Sequence, residues 1–286
     1  MRILFKLMLS VGMLFSTVAL ASEPLVISRQ GTVDTPENTL LSIKKAVDSG
    51  ANAIWLTLQL SKDNEIVLYR PADLQTLTNL KGPVAAYTVA QLHQADAGYW
   101  YGKPDYPLRG KNLYVPTLAE VLKRWPNTFF FLEINSPGTP PQLFSVLLED
   151  VLEKSHSYNR VRVYANNALF LDALPDTIAR FETEQATQTV LSDIIINHRC
   201  DVPSFAIEKW YILKYQRYIQ NAPGASPLAW GQEAMRCFRN NKLAKVILTG
   251  GDTETLYQIA QTLHADSVLV DSPLPVSKKS LFRWVK

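Results

Sequence analysis

Short apolar runs alternate with stretches of helical spacing along most of the chain, and that alternation predicts its elements. Leu25 to Ser28 reads as a strand, followed by a loop ending in Thr35-Pro36-Glu37-Asn38. Leu40, Ile43 and Val47 then recur at helical spacing up to about Asp48, with Gly50 just beyond as a stop. Ala53 to Leu60 alternates as a strand, Lys62-Asp63-Asn64 reads as a turn, and Ile66 to Tyr69 predicts a third strand. Thr88 to Asp96 and Thr117 to Trp125 have helical spacing, with a loop rich in aromatics, Gly and Pro between them. Thr128 to Ile134 is nearly all apolar, the pattern of a parallel strand covered on both faces.

The second half keeps the rhythm. Pro141 to Lys154 reads as a helix, Val161 to Tyr164 as a strand, Leu169 to Leu174 as a short helix and Ile178 to Phe181 as a strand. Ala244 to Leu248, Thr253 to Leu263 and Ser267 to Val270 predict a strand, a helix and a last strand. Repeated strand–helix units predict a parallel α/β protein, and their count and the chain length favour a closed TIM-type (β/α)8 barrel over an open sheet. Between Glu184 and Asn241 no period dominates. Trp210, Tyr211, Tyr215 and Tyr218 there read as a helix packing on the barrel or as part of a pocket rim.

The N-terminus changes the picture of where the chain works. Arg2 and Lys6 precede an apolar run from Leu7 to Leu20, and Ala19-Leu20-Ala21 has the small-x-small form of a cleavage site. Residues 1–21 are therefore expected to be a signal peptide, with an uncleaved anchor as the alternative, and the protein is expected to be periplasmic or secreted. No Cys lies near the cleavage site, which argues against a lipid anchor. Residues 22–286 are expected to form one barrel domain, without a further membrane span.

Composition adds little beyond this. The chain is 47% hydrophobic and 19% charged, as a globular protein is. Its formal net charge of +3 falls to +1 when Arg2 and Lys6 leave with the leader. No basic tail or patch suits nucleic acid. Cys200 and Cys237 match no metal-binding spacing, and a disulfide between them is compatible with an oxidising compartment.

Several short motifs in fixed order resemble the glycerophosphodiester phosphodiesterase family, over most of the chain beyond the leader. They are Thr35-Pro36-Glu37-Asn38-Thr39-Leu40 with Ala46 and Gly50-Ala51, Leu60-Ser61-Lys62-Asp63, and Asp96-Ala97-Gly98. Val115-Pro116-Thr117-Leu118, Phe131-Leu132-Glu133-Ile134 and Val268-Leu269-Val270-Asp271-Ser272-Pro273 follow. The resemblance implies a phospholipase C-like phosphodiesterase barrel. It also implies two histidines moving protons, an arginine holding phosphate, and a divalent cation held by a Glu-x-Asp pair and a later Glu. Such a set neutralises an anionic phosphodiester that otherwise repels nucleophiles.

At the matching positions this chain departs from that pattern. The family's His-Arg-Gly falls on Ser28-Arg29-Gln30, its Glu-x-Asp on Trp55-Leu56-Thr57, and its His-Asp on Tyr69-Arg70. Glu133 is retained, with Asn135 in place of a frequent lysine. No catalytic residue is therefore assigned, and Ser28, Trp55, Thr57 and Tyr69 stand as substituted positions. His93, His156 and His264 read as surface residues; His198, beside Arg199 and Cys200, is the one without a ready reading.

Glu133 alone is a poor site for Mg2+ or Ca2+, which take several oxygen ligands. It is expected to pair with Arg29 or Arg70, with residual metal binding as the alternative. Mg2+ or Ca2+ is expected only if the chain is an active enzyme. Strand C-terminal ends share one barrel mouth, so Ser28, Arg29, Tyr69 and Arg70 are expected to converge there. Arg29, Tyr69, Arg70, Glu133 and Trp100 are then candidates for binding a phosphodiester, a phosphorylated small molecule or a lipid head group. Arg70 pointing to solvent beside Asp73 is the competing reading. Tyr99, Trp100 and Tyr101 form either an apolar wall for a ligand or a packed loop. Three functions follow: a binding protein with little turnover, an active phosphodiesterase with a rearranged site in which Tyr69 donates the proton, or an assembly role.

Overall fold

The computed structural model describes residues 23–203, 207–215 and 231–273. The expected leader and Tyr218 lie outside them. Nine strands follow in chain order: β1 Leu25–Arg29, β2 Ala53–Leu60, β3 Ile66–Leu68, β4 Phe129–Ile134, β5 Val161–Ala165, β6 Arg180–Phe181, β7 Lys209–Lys214, β8 Ala244–Thr249 and β9 Ser267–Val270. Eight of them, all but β3, pair in parallel in the order β1-β9-β8-β7-β6-β5-β4-β2, and β1 pairs with β2 to close the ring. The chain forms the expected (β/α)8 barrel.

Helices cover the outside: α1 Leu40–Asp48, α2 Val89–Leu92, α3 Leu118–Arg124, α4 Pro141–Lys154, α5 Ala168–Ala173, α6 Glu184–Asn197, α7 Gln232–Asn240 and α8 Thr253–Leu263. Local chemistry fixes where several begin. Thr39, Thr88 and Thr117 each cap a helix with the side-chain oxygen, and the third residue on returns a bond to the cap backbone. The stretch expected as a helix from Thr88 to Asp96 shortens to the single turn of α2.

The expected third strand is present, ending at Leu68, and it pairs antiparallel with β2, Leu58 opposite Leu68 and Leu60 opposite Ile66. The short Ser61–Glu65 turn leaves no length for the crossover that a parallel partner needs. Trp210 and Tyr211 lie on a strand, β7, rather than on a helix or pocket rim. Trp210 faces the barrel interior and Tyr211 packs outward on Phe238 of α7, at 4.7 Å between rings. Burial on both faces is what a barrel strand provides, and it hides the periodicity.

The interior is filled by Ile27, Ala53, Trp55, Phe131, Phe181, Trp210, Ile247 and Leu269. Its centre is aromatic: Trp55 lies 5.6 Å from Phe181, and Phe131 lies 5.0 Å from Trp210. This packed plug leaves the strand C-terminal ends as the open face.

Candidate functional site

Register decides what meets at the barrel mouth. Ser28 stands opposite Val270 and Arg29 opposite Trp55, so Arg29 lies between β2 and the exit of β9. Its Nη2 donates to Thr249 Oγ1 at 2.9 Å, and its Nε lies 3.1 Å from Asp271 Oδ1. The guanidinium is part exposed and keeps a face toward solvent. Ser28 takes no part, because it is fully buried and its hydroxyl donates to the Gly31 carbonyl.

Glu133 stands opposite Thr57 on the adjoining strand. Its Oε2 accepts from the indole Nε1 of Trp55 at 3.0 Å and from Thr57 Oγ1 at 3.2 Å. Neither arginine pairs with it, contrary to expectation, because each has a nearer acid. The backbone N–H of Thr57 is in turn fixed by Asn38 Oδ1 at 3.0 Å. A divalent cation needs several oxygen ligands, whereas this carboxylate faces neutral donors with one oxygen already doubly engaged. Among the described residues no group of three His, Cys, Asp or Glu could hold a metal ion. The donor set does not fit Mg2+ or Ca2+.

Tyr69 is turned inward. The residue is 3% exposed, and its hydroxyl donates to the carbonyls of Asp73 and Leu74, both at 3.0 Å. Burial pushes its pKa well above the ordinary tyrosine value. The Gln59 amide holds the turn behind it, donating to the carbonyls of Tyr69, Arg70 and Pro71. Arg70 forms a two-pronged pair with Glu37, at 2.7 and 2.9 Å. It is therefore not an arginine pointing to solvent beside Asp73, whose carboxylate instead caps the turn at Leu74–Thr76.

Beside the mouth opens a side cavity of about 430 Å³. The loop from β1 to α1 forms one wall, and Trp100 and Tyr101 form another, with Tyr69, Arg29 and Asp271 also in the lining. Trp100 is both packed and exposed: Nε1 donates to the Thr78 carbonyl at 3.1 Å while 43% of the residue remains accessible. Tyr99 stacks edge-on against Trp100 and lies under the Arg109 guanidinium, so it belongs to the loop's own packing.

Among the described residues no histidine lines the side cavity, although His93 lies 4.6 Å from the ring of Tyr114, which does. His93 pairs with Glu120 at 3.3 Å, and His156 and His264 sit in the left-handed conformation at helix ends. His198 caps the C-terminus of α6 and lies 3.0 Å from Glu233. Helices run back along the barrel, so α6 ends at the face opposite the mouth. Cys200 and Cys237 form a disulfide there, with Cα atoms 5.4 Å apart.

The comparisons agree with this architecture. The sequence profile described as "Glycerophosphoryl diester phosphodiesterase family" matches residues 29–192. The chain belongs to this family. An uncharacterised Mycobacterium tuberculosis protein is 33% identical over 268 residues, spanning 88% of both chains. The crystal structure of its glycerophosphoryl diester phosphodiesterase domain superposes with a TM-score of 0.76, covering 88% of this chain and 97% of that one at 32% identity. A Bacillus subtilis glycerophosphodiester phosphodiesterase is 33% identical over 51% of this chain and 56% of its own. An Oleispira antarctica phosphodiesterase, solved with the product sn-glycerol-3-phosphate, shares the fold at TM-score 0.59 and 20% identity, covering 88% and 94% of the two chains.

For this family member, sequence reasoning expected Ser28, Arg29, Tyr69 and Arg70 to converge at the mouth; Ser28 and the Tyr69 hydroxyl are instead turned into the interior, and Arg70 is paired with Glu37. That reasoning missed that Asp271, Thr249 and Glu37 are the partners of the two arginines. Glu37 and Asp271 had been noted only as parts of motifs. The signal for Asp271 was available in the pairing of first and last strands, which any closed barrel requires.

Proposed function

We propose that this protein binds a phosphate-bearing small molecule or lipid head group at the barrel mouth and turns it over poorly or not at all. The observation that supports this is the Glu133 carboxylate held by Trp55 and Thr57. Those neutral donors stand where the family resemblance leads one to expect two carboxylates and a cation. Tyr69 does not serve as the proton donor of a rearranged site, because its hydroxyl is committed to two carbonyls in the protein interior. Arg29 supplies the phosphate-binding charge. Its partner Asp271 has a side chain 71% exposed, in a setting where an ion pair contributes little and exchanges readily.

Export through the N-terminal leader belongs to the same proposal, and the Cys200–Cys237 disulfide suits an oxidising compartment. The deciding experiment is glycerophosphodiester hydrolysis at high protein concentration, with Mg2+ or Ca2+ and with chelator, beside calorimetry with sn-glycerol 3-phosphate. Binding without turnover supports the proposal. Metal-dependent turnover abolished by Glu133→Ala makes the chain an active phosphodiesterase instead.

A further inference from the structure

We propose that the side cavity is the apolar half of the ligand site, accepting the acyl chain of a single-chain phosphate amphiphile whose head group lies against Arg29. This rests on the phosphate-binding reading above and names the class of ligand.

The cavity's size falls within the range of about 300–1,000 Å³ typical of small-molecule sites. It is larger than a bare glycerol phosphate needs, and what it offers is mostly carbon. Leu68, Leu77, Trp100 and Val115 line it, and Val33, whose carbonyl accepts from Tyr101, stands at its rim 64% exposed.

The polar groups around it are largely engaged with one another. Thr32 Oγ1 donates to Asp34 at 2.5 Å, and Thr39 Oγ1 donates to the Pro36 carbonyl at 2.7 Å. Both Glu37 oxygens accept from Arg70. Trp100 and Tyr101 turn their polar atoms onto the carbonyls of Thr78 and Val33, at 3.1 Å each, which leaves their rings for the cavity.

Two polar features remain. One is the Arg29–Asp271 pair in the lining, where a phosphate would displace the exposed Asp271 carboxylate. The other is Asn38, a cavity residue only 2% exposed, whose Nδ2 has no partner among the described residues. A buried donor left unpaired is unfavourable. An exposed charged pair, carbon along the walls and an apolar rim open to solvent match a molecule with a phosphate at one end and a chain at the other.

The test compares 1-lauroyl-glycerol 3-phosphate, below its aggregation concentration, with sn-glycerol 3-phosphate by calorimetry. The two probes differ only in the acyl chain. The lysolipid is expected to bind at least about tenfold more tightly, a margin that burial of only a few methylenes supplies. Val33→Asp and Trp100→Ala change exposed rim residues, and folding of each is checked by circular dichroism. Both are expected to weaken the lysolipid more than the glycerol phosphate, and Arg29→Gln to weaken both probes. Equal affinities, or a lysolipid margin untouched by either rim variant, overturn this inference and leave the phosphate reading standing. Failure of both probes to bind overturns the two together.

Discussion

The indole nitrogen of Trp55 lies 3.0 Å from Glu133 Oε2, joining residues 78 positions apart across two neighbouring strands. A hydrogen bond to a carboxylate contributes about 1.5–3 kcal/mol, and losing one partner leaves the charge under-solvated. Trp55→Phe keeps an aromatic ring in the plug but deletes the donor. It is expected to destabilise the fold by roughly 2 kcal/mol in urea unfolding, more than Thr57→Val, which removes the longer of the two bonds. An unchanged midpoint for Trp55→Phe would show that the carboxylate is satisfied by solvent.

The same geometry predicts how a cation site could be rebuilt. Thr57 stands opposite Glu133 in register and Trp55 reaches the same oxygen, so Trp55→Glu with Thr57→Asp places three carboxylates together. That variant is expected to bind Ca2+ or Mg2+ saturably in calorimetry, whereas the parent protein gives no saturable heat. Saturable binding by the parent, lost in Glu133→Gln, would contradict the assignment of Trp55 and Thr57 as neutral occupants of the site.

Tyr69→Phe separates structure from chemistry. The hydroxyl donates to two carbonyls of the following turn, so its removal is expected to cost about 1 kcal/mol of stability. Any trace hydrolysis of phosphodiesters should persist unchanged in this variant. A selective loss of hydrolysis, with stability intact, would restore Tyr69 as an acid.

Alkaline pH should unfold the protein earlier than charge balance alone suggests. Burial raises the pKa of Tyr69 and Tyr211, and Tyr164 is pushed up to about 12 by burial and then by Glu133 and Glu184. The folded state therefore holds protons that the unfolded chain releases from about pH 10 upward. Stability is unaffected below that point and falls as pH rises through it, by up to about 1.4 kcal/mol per pH unit for each such group. Denaturation midpoints measured between pH 8 and 12 check the direction.

Reduction of the disulfide tests a different part of the fold. Cys200 and Cys237 are 37 residues apart in sequence, and a loop of that size gives a cross-link worth about 3–4 kcal/mol in the chain-entropy view. A reductant, or the Cys200→Ser/Cys237→Ser pair, is expected to lower the melting temperature. Binding at the mouth should be retained in whatever remains folded, since the disulfide lies at the opposite face.

The sequence by itself determined the barrel, most of its strands and the family, and it singled out Arg29 as a residue of the mouth. It could do so because strand and helix periods are local, and because motifs such as Thr35-Pro36-Glu37-Asn38 are contiguous. β7 escaped it, because a strand buried on both faces loses its alternation. The antiparallel orientation of β3 was not legible, because orientation depends on the partner, not on the strand.

Only the tertiary structure decided who pairs with whom. Arg29 meets Thr249, 220 residues away, because the last strands close the ring against the first. Glu133 faces Trp55 rather than an arginine because the register of β2 and β4 puts the indole nearer than either guanidinium. Residue type sets what a side chain can offer. Which offer is taken depends on distances that exist only once the barrel has closed.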